Sequence, residues 1–184
     1  METIRAFSPK DTEAILAIYA PYIVESAVTF DTAVPELKSF EHKLSTIAAS
    51  YPFLVAEEKN ILIGYAYANK YREREAYQWS VETSVYMHED FKSRGIATSL
   101  YQALFQELLS LHYTKAYAII TMPNLASEHF HAKMGFNKIA VFEDAGFKMG
   151  EWHDVLWMEK RLQEKDLVPK DPLQWDKSFL NKSI

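Results

Sequence analysis

Residues 81–109, VETSVYM HEDFKSRG IATSLYQALFQELL, read as a strand, a basic loop with one glycine, and a helix. The N–H groups that open a helix have no partner along the chain and carry the positive end of its dipole, so such a start binds anions. Lys92 and Arg94 add charge beside it, and Gly95 lets a ligand come close to the backbone. A phosphate-bearing ligand fits; so does a plain solvated basic turn. The segment has neither the G-x-x-x-x-G-K-[ST] nor the G-x-G-x-x-G pattern. In the strand ahead of it Trp79, Val81, Thr83, Val85 and Met87 face one way, and Ser80, Glu82, Ser84 and Tyr86 the other, which sets Glu82 mid-strand on a polar face.

Other chemistries are excluded by what the chain lacks. It has no cysteine, so disulfides, Cys-ligated zinc and a covalent thiol intermediate are ruled out. His129 and His131 are two apart and cannot share a helix face, and there is no H-E-x-x-H, so no metal site is expected. Trp152-His153-Asp154 are consecutive on a strand and cannot form a relay, and G-x-S-x-G is missing.

The elements that must position these residues follow from the periodicity. Thr3–Phe7 predicts a strand, Ser8-Pro9-Lys10-Asp11 a turn and helix cap, and a helix runs from Thr12. Leu37, Phe40, Leu44 and Ile47 mark a second helix after Pro35, with Val28–Asp31 extended between the two. Pro52–Glu58 and Ile61–Asn69 form a hairpin over Lys59-Asn60, with a bulge at Gly64. Tyr71–Tyr77, YREREAY, is too charged for a core strand and reads as a loop. Ile96, Leu100, Leu104, Leu108 and Leu111 follow helical spacing. Ala116–Thr121 is a short strand, Pro123-Asn124 opens a helix closed by Gly135, and Phe136–Phe142 and Trp152–Lys160 are strands separated by a loop, AGFKMGE. Strands and helices mix without strict alternation, which favours an α+β or mixed α/β sheet.

The 184 residues suffice for one domain, 48% hydrophobic and 24% charged, with an apolar mass able to bury a sizeable core. A net charge of −5 has the wrong sign for gripping nucleic-acid phosphates, so no nucleic-acid partner is expected. METIRAFSPKD lacks a basic segment followed by an apolar one, and no apolar run approaches a membrane span, so a cytoplasmic location and no membrane partner are expected. Residues 163–184, with Pro169, Pro172 and an isolated Trp175, show no periodicity and read as an arm over the surface or an interface element, outside a domain of residues 1–162.

Lys92-Ser93-Arg94-Gly95-Ile96-Ala97 resembles the Q/R-x-x-G-x-G/A coenzyme A loop of the GNAT N-acetyltransferases, with Lys at the first position keeping the charge. AYQWSVETSVYM ahead of it, TMPNLASEHFHAKMGF after it and AGFKMGEWHDV near the end are similar to the phosphinothricin N-acetyltransferase branch, over about Ile4 to Leu162. The resemblance implies a twisted, mostly antiparallel sheet whose central strands splay, with acetyl-CoA in the splay as co-substrate and direct acetyl transfer to a small amine. It implies that Glu82 is the general base, that Val85, Tyr86 and Met87 pair with the pantetheine arm, that Lys92, Ser93, Arg94, Gly95, Ile96, Ala97 and Thr98 hold the pyrophosphate, and that Asn124 bonds the coenzyme while capping its helix. His131 stands where other relatives carry a tyrosine that protonates the thiolate. A carboxylate near 4.3 is a poor match for an ammonium group, so burial that raises Glu82 would help.

For the acceptor, Arg72, Arg74, Tyr77 and Trp79 precede the base, and His153 matches a histidine of the branch. Arg74 is expected to clamp the α-carboxylate of an amino acid of the phosphinothricin or methionine sulfoximine type, ahead of Arg72; a solvated E-R-E-R run is the plainer reading. Another amine as acceptor, such as a protein N-terminus or a polyamine, and a non-catalytic acyl-CoA-binding module are the competing functions. Relatives of this branch imply a homodimer.

Overall fold

The computed structural model describes residues 2–164 and 166–176. The elements run β1 Glu2–Ala6, α1 Thr12–Val24, α2 Leu37–Ser50, β2 Phe53–Glu58, β3 Ile61–Lys70, β4 Ser80–Met87, α3 Ile96–Ser110, β5 Lys115–Thr121, α4 Leu125–Lys133, β6 Asn137–Lys148 and β7 Glu151–Arg161. The strands make one mixed sheet in the order β1-β2-β3-β4-β5-β7-β6, antiparallel throughout except for the parallel pair β4 and β5.

Strand alternation sends side chains to both faces and so builds two cores. On one face Leu54, Ile63, Ala66 and Val81 pack with Leu100, Leu104 and Leu108 of α3. On the other, Phe53, Val55 and Tyr65 pack with Ile15, Ile18 and Tyr19 of α1 and Phe40, Leu44 and Ile47 of α2. Ser84 and Tyr86 look toward this second face, where Tyr86 meets Tyr19 edge-on at 5.0 Å. The predicted bulge at Gly64 is present: Ala56 faces Gly64 and the next residue, Glu57, faces Leu62.

One part departs from the sequence reading. AGFKMGE is not a loop: β6 continues to Lys148 through a register shift between Phe142 and Gly146, and the turn is only Met149-Gly150. The shift absorbs Glu143-Asp144-Ala145, with the Asp144 N–H donating to Asp154 Oδ1 at 2.9 Å. The tail, as far as it is described, is an arm over its own chain, and Trp175 is 5% exposed in the α3 core. Positions 177–184 lie outside the described residues.

Candidate active site

β4 and β5 share only three register pairs, Ser80 with Lys115, Val81 with Ala116 and Glu82 with Tyr117. Beyond Glu82 the strands part, while β4 stays paired with β3 up to Met87. The edge of β4 from Thr83 to Met87 therefore has backbone groups turned to a groove instead of a neighbour. That groove is lined by Thr83, Val85, Tyr86, Ile120, Asn124 and His131, among others. The Thr83 hydroxyl donates to the Tyr117 carbonyl at 3.3 Å and ties the fork together.

The chain passes from the free end of β4 at Met87 into the loop that starts α3. Gly95 has φ +85°, a left-handed conformation that L side chains adopt at a cost, and a side chain built there meets open space. Ser93 shares the positive φ, at 61°. The N–H groups of Thr98 and Ser99 bond to the Gly95 carbonyl, whereas those of Ile96 and Ala97 open the helix with no residue four places back inside it. This cradle fits a pyrophosphate. Lys92 lies over the Tyr22 ring at 5.0 Å, and Arg94 is held by Glu58 at 3.0 Å and stacked on Phe91 at 5.0 Å. Asn124 Oδ1 accepts the Ser127 N–H at 3.1 Å, as a helix cap should.

Glu82 is half-buried at the fork, and burial pushes its carboxyl above the ordinary range, with the Arg72 guanidinium acting the other way. Arg72 is exposed but rests on two rings: its guanidinium lies 5.2 Å from the Tyr71 ring and 5.4 Å from that of Trp157, and Tyr71 stacks on Tyr117 at 4.2 Å. Tyr77 meets Tyr71 edge-on at 5.7 Å. Arg74 lines a cleft with Tyr51, Pro172 and Gln174, and Arg72 and Tyr77 line that cleft too. Of the two arginines, it is Arg72 whose charge acts on Glu82. Trp79 is turned to the arm, its indole N–H donating to the Lys170 carbonyl at 2.7 Å. His153 is 7% exposed, with Nε2 donating to the Lys148 carbonyl at 3.0 Å inside the β6–β7 hairpin.

His131 Nδ1 lies 2.8 Å from the Ser127 carbonyl, which can only accept, so Nδ1 carries the proton and Nε2 accepts from the Tyr101 hydroxyl at 3.0 Å. Burial lowers the His131 pKa and keeps the ring neutral.

A strap over the fork went unseen in the sequence. Lys148, 6% exposed, donates to the Thr29 carbonyl at 2.7 Å, the Phe30 ring lies against Gly146, and the Tyr19 hydroxyl joins Thr29 Oγ1 at 2.6 Å and Asp31 Oδ2 at 2.8 Å. Val28 of this strap lines the groove. The available signal was a lysine and a glycine inside a stretch otherwise able to continue the strand from Phe142.

A strand pair that parts over an anion-binding helix start is the architecture of acyl-CoA-dependent N-acyltransferases, and that is the class this fold defines. A family model described as acetyltransferase (GNAT) domain matches residues 4–157, and the chain belongs to the GNAT acetyltransferases. It is 32% identical over 152 residues to a phosphinothricin N-acetyltransferase of Streptomyces viridochromogenes, covering 83% of each chain. It is 29% identical over 166 residues to an L-methionine sulfoximine/L-methionine sulfone acetyltransferase of Salmonella typhimurium, covering 88% of this chain and 95% of that one. A GNAT phosphinothricin acetyltransferase from Sinorhizobium meliloti, solved in complex with acetyl-CoA, superposes with a TM-score of 0.87 at 30% identity over 92% of this chain and 93% of that one. Among the described residues no helix is long and apolar enough to cross a membrane, and no group of three or more His, Cys, Asp or Glu side chains could hold a metal ion.

Proposed function

We propose that the protein moves the acetyl group of acetyl-CoA directly to the α-amine of a small amino-acid-like acceptor of the phosphinothricin or methionine sulfoximine type, with Glu82 as general base. The observation that carries this reading is the position of Glu82 at the last pair before β4 and β5 part, where a thioester lying along the free β4 edge and an acceptor on the α1–α2 face meet.

In this reading Glu82 takes a proton from the ammonium group, the freed amine nitrogen attacks the thioester carbonyl, a C–N bond forms, the C–S bond breaks with its electron pair leaving on sulfur, and the surplus proton shed by the nitrogen is matched by one taken up by the thiolate, giving the amide and the free thiol. Burial of Glu82 makes it the better proton acceptor. Direct transfer agrees with a chain that has no cysteine. His131, neutral and with its one proton held by Ser127, is not the acid that meets the thiolate. Arg72, fixed by Tyr71 and Trp157, holds the α-carboxylate, with Tyr77 beside Tyr71 as part of the same wall. A thiol-release screen of acetyl-CoA with free amino acids and their decarboxylated analogues tests this: turnover of methionine sulfoximine and phosphinothricin but not of the amines supports it, and equal turnover of the amines removes the clamp.

The homodimer belongs to the same reading. β6 is an edge strand whose Ile139, Val141, Phe142 and Phe147 are each about half exposed, an apolar edge suited to a second copy. Sedimentation of Val141→Lys against the parent chain tests it, with a monomer expected for the variant.

A further inference from the structure

We propose that the C-terminal arm, residues 166–176, is a brace that positions the acceptor loop Tyr71–Trp79, with Trp79 as the positioning residue that joins them. The effect on catalysis rests on the reading in which Arg72 holds the acceptor. The loop carries Arg72, Glu73, Arg74 and Glu75 in succession and has no apolar core of its own, so something outside it must supply its order.

The arm supplies it at adjacent points. Lys170 accepts the Trp79 indole N–H at 2.7 Å, and Asp171 Oδ1 accepts from Gln78 Nε2 at 3.2 Å. The arm is itself fastened to the domain: the Asp171 carbonyl accepts from His112 Nδ1 at 3.0 Å, the Leu173 N–H donates to the Leu111 carbonyl at 3.0 Å, and Trp175 is buried in the core with Leu108 and Leu111. Trp79 is gripped from the other side too, since its carbonyl accepts the Thr114 N–H at 2.9 Å. The end of the loop is thus clamped between the start of β5 and the arm, while the stack of Tyr71 on Tyr117 holds its beginning beside Arg72, so the loop is fixed at both ends. Residues 166–176 lie beyond the matched family domain, which ends at residue 157.

Trp175→Ala releases the arm, whereas Trp175→Phe keeps an aromatic ring in the same pocket and gives up part of the indole's volume together with an N–H that has no hydrogen-bond partner. Trp79→Phe removes the bond to Lys170 without touching the core, and decides the matter alone if Trp175→Ala fails to fold. Limited trypsin digestion reads cutting after Arg72 and Arg74, and steady-state kinetics reads the two substrates separately. Both releasing variants are expected to be cut several-fold faster and to raise acceptor KM by about three- to ten-fold, with acetyl-CoA KM within about two-fold of the parent and Trp175→Phe behaving as the parent. Unchanged cutting in Trp79→Phe and Trp175→Ala overturns the brace. Faster cutting with an unchanged acceptor KM upholds the brace and overturns the Arg72 clamp.

Discussion

Glu82 stands opposite Tyr117 in the last register pair between β4 and β5, and Tyr71, stacked on that same Tyr117, carries Arg72 to the fork. One aromatic contact thereby links the proposed base to the proposed acceptor clamp.

Replacing Glu82 by Gln keeps the shape and removes the base, so kcat falls by on the order of 10²- to 10⁴-fold, with less loss at high pH where the amine is already free. Acetyl-CoA affinity is unchanged. Stability moves the other way. Because the folded-state pKa of Glu82 is raised, its contribution is fully present below the unfolded value and is lost as pH rises through the folded one. Glu82→Gln therefore has the higher Tm at neutral pH, and the gap closes below about pH 4. Full activity of the variant near neutrality would refute the base assignment.

Arg72→Ala removes the cation that opposes the effect of burial on Glu82, so the Glu82 pKa rises further and the acid limb of kcat/KM shifts to higher pH. Acceptor KM rises about ten-fold, as expected for loss of a charged carboxylate contact. Arg74→Ala changes neither quantity. A pH profile for both variants separates the two arginines, and an unmoved limb for Arg72→Ala denies the coupling.

What was legible in the sequence was whatever local periodicity decides. The alternation of Trp79–Met87, the α3 stripe and the Asn124 cap all have local causes, and the structure has strand, helix and cap there. The β6–β7 hairpin was misread because Glu143-Asp144 and Gly146 break the alternation, and only pairing with β7 keeps that stretch extended. The stack that sets Tyr71, and the Arg72 beside it, against Tyr117 joins residues 46 positions apart, which no local pattern encodes. Trp175 is held by tertiary packing on a segment with no period of its own.

Gly95→Ala forces a side chain into a left-handed position at about 1–2 kcal/mol and sets a methyl group where the pyrophosphate cradle is open. Acetyl-CoA affinity is expected to fall about ten-fold in calorimetric titration, while Glu82→Gln keeps the parent value. Equal affinity for the alanine variant would remove this loop from the coenzyme site.

The strap over the fork offers a test of coupling instead of a single loss. A Cβ on Gly146 would run into the Phe30 ring, and Lys148→Met removes the donor to the Thr29 carbonyl, so each change frees the Val28–Asp31 segment from β6 by a different contact. Burial lowers the Lys148 pKa, so the uncharged Met avoids the cost of a buried cation while the strap loses its donor. Each single variant is expected to raise acceptor KM by about three- to ten-fold. Because both act through one strap, whichever contact is lost first has already released it, and the double variant is expected to be little worse than the poorer single one. A double-mutant cycle on acceptor KM measures this. Fully additive losses would mean that Phe30 and Lys148 act on the acceptor independently and that the strap is not a unit.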